Sequence, residues 1–149
     1  MENKFFLHRI RKDNGTYNKG IEVHDSLDAA IQSFHAQMKM AYNNPSYPNT
    51  TYVSCMVTDG QGNVVQDYNE TWNITNDSVF FIHYIRHDGD AYTKGIDVYD
   101  DYGTACRNFH SQMEYGYGNS KFPSVSFVAS RITGTSGVTH KSECWNKGE

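Results

Sequence analysis

Apolar and polar positions alternate over short stretches of this chain, and the same alternation is written twice. Phe5-Phe6-Leu7-His8-Arg9-Ile10-Arg11 returns as Phe80-Phe81-Ile82-His83-Tyr84-Ile85-Arg86, offset by 75 positions. Tyr17-Asn18-Lys19-Gly20-Ile21-Glu22-Val23 returns as Tyr92-Thr93-Lys94-Gly95-Ile96-Asp97-Val98, and Phe34-His35-Ala36-Gln37-Met38 as Phe109-His110-Ser111-Gln112-Met113. Of the 49 positions from Phe5 to Val53, 21 are identical to their partners. The offset becomes 73 at the ends, where Asn69-Glu70-Thr71-Trp72 faces Lys141-Ser142-Glu143-Cys144-Trp145. Self-similarity of this period marks one supersecondary unit used twice. The polar stretch 73–78 reads as the link, so the repeats span 1–72 and 79–149.

Each copy predicts the same order of elements. Phe5 to Lys12 alternates as a strand, Asn14-Gly15 signals a tight hairpin, and Tyr17 to His24 returns. Ser26, or Asp100 and Asp101 in the second copy, can cap a helix. Ala30, Phe34, Met38 and Ala41/Tyr42 recur at helical spacing, predicting helices over Ser26–Asn43 and Asp101–Gly116. Tyr52 to Val57 and Val64 to Tyr68, separated by Asp59-Gly60-Gln61-Gly62-Asn63, complete four strands. The expected fold class is therefore α+β: a tandem duplication of a ββαββ unit, each antiparallel sheet with one helix on one face, the halves related by a pseudo-two-fold axis.

A two-residue turn at Asn14-Gly15 pairs Ile10 with Lys19 and His8 with Ile21. One face then carries Phe6, His8, Ile10, Lys19, Ile21 and Val23, and its β-branched residues make it the expected partner of the helix. The predicted core is Phe6, Ile10, Ile21, Val23, Phe34 and Met38, with Phe81, Ile85, Ile96, Val98, Phe109 and Met113. The opposite face (Phe5, Leu7, Arg9, Arg11, with Phe80, Ile82, Tyr84 and Tyr99 in the copy) is too apolar for a wet surface. Cover by the sister repeat, or by a second chain in a homodimer, is the expectation.

Composition narrows the classes. Leu occurs only at Leu7 and Leu27 against 11 Tyr and 8 Phe, a palette that suits sheet. No apolar run approaches the roughly 18–20 residues of a membrane span. The net charge of −4 argues against a general nucleic-acid surface, which needs basic patches. Cys55, Cys106 and Cys144 lack metal spacing and fit reduced thiols in a cytoplasm. Phosphate loops, a zinc-protease motif, a nucleophile elbow and paired-histidine phosphoesterase motifs are all missing, so the chain reads as no enzyme, with no cofactor.

Polar residues kept in both copies are the candidate chemistry. His8 and His83 fit core histidines bonded to a hydroxyl, or a pair of site imidazoles poised near neutral pH. His35/His110 and Gln37/Gln112 flank the helical stripe, where they bond a loop or rim a pocket. Tyr17, Lys19 and Gly20, with Tyr92, Lys94 and Gly95, open the second strand of each hairpin, and Arg11 and Arg86 close the first. A tyrosine, a lysine and an arginine at one hairpin mouth suit a phosphate with an aromatic base, and equally a protein hot spot. Glycine there permits a close backbone approach.

The paired pattern Asn14-Gly15-x-Tyr17-x-Lys19-Gly20-Ile21, Phe34-His35-x-Gln37-Met38 and Asn69-Glu70-Thr71-Trp72 resembles small tandem-repeat proteins of phages and mobile elements of Gram-positive bacteria. That resemblance implies a counter-defence factor in the host-cell cytoplasm. Such a factor sequesters a small anionic nucleotide-like immune signal or blocks a host defence protein. The readings that stand are capture of that ligand, a protein–protein inhibitor or adaptor using the aromatic sheet face, and a phosphoester-processing enzyme using His8/His83 or His35/His110.

Overall fold

A computed structural model describes residues 3–74 and 78–148. Of the expected link, residues 75–77 lie outside the described residues. The chain divides into two compact units, residues 2–75 and 76–149. It is α+β, with two four-stranded antiparallel sheets, each carrying one helix. Among the described residues no helix is long and apolar enough to cross a membrane.

In the first unit, β1 (Phe5–Asp13) and β2 (Thr16–His24) form the hairpin, followed by α1 (Leu27–Met38), β3 (Thr50–Asp59) and β4 (Val64–Trp72), in sheet order β2-β1-β3-β4. The Asn-Gly turn sets the register as expected: Ile10 lies opposite Lys19 and His8 opposite Ile21. Asn14 and Gly15 take φ of 49° and 79°, the left-handed pair that a two-residue turn requires. The second unit repeats the order with β5 (Phe80–Asp88), β6 (Ala91–Tyr99), α2 (Tyr102–Met113), β7 (Val125–Gly134) and β8 (Thr139–Asn146), paired as β6-β5-β7-β8.

Both helices begin at the caps the sequence offers. Ser26 Oγ accepts from the Ala29 amide at 3.1 Å, and Asp101 Oδ2 from the Thr104 amide at 2.8 Å. Both stop earlier than the apolar spacing predicts, at Met38 and Met113 instead of Asn43 and Gly116. Beyond Met38 the amides of Met40 and Ala41 reach back only three residues, to Gln37 and Met38, and Tyr42 and Asn43 then turn left-handed at φ 62° and 59°. The second unit ends the same way, with Tyr117 at φ 62° and Gly118 at φ 69°.

The helix covers the opposite face from the one expected. Ala30, Phe34, Met38 and Ala41 pack against Leu7, Val53, Cys55 and Val57, and in the second unit Ala105, Phe109 and Met113 pack against Ile82, Val128 and Ile132. The expectation weighed only the hairpin. The inner strand adds to that face, because β3 places the buried Val57, Cys55 and Val53 opposite Leu7, Arg9 and Arg11, and these valines pack with α1. Phe5, Phe80 and Tyr99, from the aromatic face, are partly buried against these helix-side clusters.

The other face is buried as well: Phe6, His8, Ile10, Ile21, Tyr52 and Met56 each keep 5% exposure or less. Val23 and Val98, expected in the core, are only partly buried, because they lie on edge strands near the hairpins' open ends. The inner strands are therefore covered on both sides, β3 and β7 most fully, which explains why neither of their faces reads as a wet surface.

Candidate aromatic–carboxylate site

The duplicated histidines of the strands are core residues. His8 Nε2 lies 2.8 Å from Thr58 Oγ1 and His83 Nε2 lies 2.7 Å from Thr133 Oγ1, with both rings buried. Burial, reinforced by the Arg131 guanidinium, holds the His83 imidazole down to about 3. A ring kept neutral in this way is an unsuitable acid near neutral pH.

The hairpin residues do not gather at one mouth. The register places Tyr17 and Lys19 on the face of Lys12 and Ile10, and Arg11 and Gly20 on the helix-covered face. Lys19 and Lys94 are exposed. Tyr17 is half-buried under Lys12, whose Nζ stands 5.2 Å from the ring centroid, and Tyr92 stacks on His87 at 4.4 Å. Gly95 has a cross-strand reason to be glycine, and Gly20 a weaker one. A Cβ on Gly20 would come within 3.1 Å of the Arg9 guanidinium, and one on Gly95 within 2.7 Å of the Tyr84 hydroxyl.

Arg11 is engaged by its own strand end. Its Nε donates to Asp13 Oδ2 at 2.7 Å and an Nη donates to Met40 Sδ at 3.0 Å. Asp13 also accepts from Asn18 Nδ2 and Thr50 Oγ1, each at 2.6 Å. Burial pushes the Asp13 carboxyl up, but the bonds from Thr50, Arg11 and Asn18 outweigh it and hold it below its ordinary value. In the second unit the Arg86 guanidinium sits over the Tyr115 ring, 4.0 Å from its centroid, and its buried Nε has no hydrogen-bond partner.

A different set converges where each helix ends beside the outer strand. Tyr42 donates its hydroxyl to Glu70 of β4 and sets its ring 5.9 Å from Trp72; Tyr117 donates to Glu143 of β8 and lies 5.9 Å from Trp145. Both tyrosines are exposed, at 57% and 58%. The carboxylate raises each phenol's pKa, that of Tyr117 to about 12. Left-handed backbone costs an L-residue roughly 1–2 kcal/mol, and here an exposed aromatic side chain carries that cost twice. The chain leading into the site is tight: a Cβ on Gly116 would approach Trp145 Cε3 to 3.0 Å.

His35 borders the first set through Glu70, and His110 is its counterpart in the second unit. Each is exposed and meets the preceding phenylalanine edge-on at 5.4 Å. In the first unit Gln32, His35, Ala36, Met38, Lys39 and Glu70 line an open depression of about 590 Å³. Arg107 and Glu114 stand where the first unit has Gln32 and Lys39. Gln37 and Gln112 are half-buried and line no part of that depression; the buried Gln112 Oε1 has no hydrogen-bond partner.

Sequence reasoning chose His35 and His110 but missed Tyr42/Tyr117, Glu70/Glu143 and Trp72/Trp145 as site members. Their signal was retention in both copies, obscured because the tyrosines extend the helical stripe. The pieces can stack a planar ring, accept hydrogen bonds at a carboxylate and offer one cation beside it. Compared with models of known protein families, with curated proteins and with solved structures, the chain matches none.

Proposed function

We propose that this chain is a non-catalytic binding protein that captures a small nucleotide-like anion, one per unit, at the tyrosine–glutamate–tryptophan sites. The observation that carries this reading is the duplicated set itself: the same strained, exposed tyrosine, bonded to the same carboxylate and set against the same indole, in both units. In this reading the Tyr and Trp rings stack on a base, and Glu70 or Glu143 accepts from its N–H groups. His35 with Lys39, or His110 with Arg107, meets the phosphate. The depression in the first unit falls within the size range of small-molecule sites. In the counter-defence setting that the sequence resemblance implies, the protein would sequester a nucleotide immune signal in the host cytoplasm. The same reading takes the units as two copies of one ββαββ element order.

Calorimetry against cyclic dinucleotides and cyclic ADP-ribose-type molecules tests it. Binding of one of them should weaken at least ten-fold in Tyr42→Ala with Tyr117→Ala, while circular dichroism stays that of the parent. Equal affinity in the double variant would overturn the assignment, as would no binding across the panel. The openness of the sites and the exposure of both tyrosines favour a second reading, a defence-protein inhibitor using the same patches. Loss of inhibition by a purified defence protein in that variant, with no nucleotide bound, would select it.

A further inference from the structure

Arg11 borders a depression that shares no lining residue with the one beside His35, and its surroundings differ between the units in a way that residue identity alone does not announce. Its side chain keeps 24% exposure. One guanidinium N–H is spent on the Met40 thioether, a weak acceptor, at 3.0 Å. Beside it opens a depression of about 270 Å³, walled by Asn14, Ser46, Tyr47, Asn49 and Thr50. Asp13 also borders this space, but its two oxygens are already held by Arg11, Asn18 and Thr50. A charged oxygen would make a charge-assisted bond with the guanidinium, about twice as strong as a neutral one.

The second unit sets the same arginine among different side chains. Tyr115 replaces Met40, Phe122 replaces Tyr47, Gly89 replaces Asn14 and Ser124 replaces Asn49. The Tyr115 ring sits 4.3 Å from Phe122 and covers the Arg86 guanidinium face. The two amides are gone, and Ser124 turns its hydroxyl to Asp88.

We propose that the first unit alone holds a second ligand site, in which Arg11, with the Asn14 and Asn49 amides, takes a compact oxyanion such as a phosphate or carboxylate group. Tyr47 offers a ring beside it for whatever the oxyanion is attached to. Sequence symmetry suggested two equal hairpin-mouth sites; the Met40-to-Tyr115 difference leaves one.

Amide chemical shifts of the intact chain, followed during separate titrations with inorganic phosphate and with sodium acetate, test the proposal. Saturable shifts at Asn14, Asn49 and Thr50, with Gly89, Ser124 and Val125 silent, are expected in at least one titration, and the arm that saturates identifies the head group. Met40→Tyr imports a side chain that the second unit already accommodates and should weaken that affinity at least ten-fold. Met40→Leu, which keeps the opening, should leave it within two-fold. Silence to both anions, equal responses in the two units, or unchanged affinity in Met40→Tyr would each overturn it. The Tyr42→Ala with Tyr117→Ala variant should titrate like the parent, so failure here and failure of the nucleotide reading are told apart.

Discussion

His83 is buried on the sheet face away from the helix, and its ring is held neutral down to about 3. In the unfolded chain the same ring takes a proton near 6.5. The unfolded state therefore binds more protons between those values. The stability from this neutral histidine is complete above about pH 6.5 and is lost as pH falls towards 3, by about 1.4 kcal/mol per unit. Unfolding free energies from urea titrations at pH 7 and pH 5 should differ by about 2 kcal/mol, and His83→Gln should flatten much of that slope. An unchanged slope in the variant would assign the acid sensitivity elsewhere. The two hairpin glycines make a second contrast at this scale. Gly95→Ala forces a methyl against the rigid Tyr84 ring and should cost about 1–3 kcal/mol by denaturant unfolding. Gly20→Ala meets only the flexible end of Arg9 and should stay within about 0.5 kcal/mol. Equal costs would mean that backbone conformation, and not the cross-strand neighbour, selects glycine there.

Which face the helix covers is settled at the scale of elements. The hairpins were legible because an Asn-Gly turn and period-two alternation are local signals, and the register followed from the turn length. The face was not legible from the hairpin, because the side chains that add to it, Val53, Cys55 and Val57, lie on a strand more than 25 residues away that pairs centrally. Leu7→Ala and Phe34→Ala both remove side chains from the helix-side cluster and should cost about 2–5 and 3–5 kcal/mol respectively. Because the two share that cluster, their double variant should fall short of the sum of the singles. Strict additivity would place Leu7 outside the helix contact. The helix ends were misjudged for a related reason. Tyr42 has the right spacing for one more turn, yet its ring is aimed at Glu70 and Trp72 of the outer strand, and the backbone turns left-handed to allow it.

For the whole molecule, duplication was the most legible feature, since it needs only the chain compared with itself. Duplication also separates the retained from the changed. Arg11 and Arg86 are identical in sequence and unlike in setting, whereas Tyr42 and Tyr117 keep both residue and setting. The functional proposal rests on the second kind of retention. The chain contains only two tryptophans, Trp72 and Trp145, and each belongs to one of the proposed sites. Tryptophan emission followed through a titration with the nucleotide identified by calorimetry is therefore the most direct test. Stacking at the sites should quench the emission saturably at the calorimetric midpoint, and Trp72→Phe and Trp145→Phe should each remove part of the change. Calorimetric binding that leaves both indoles unperturbed would contradict the account.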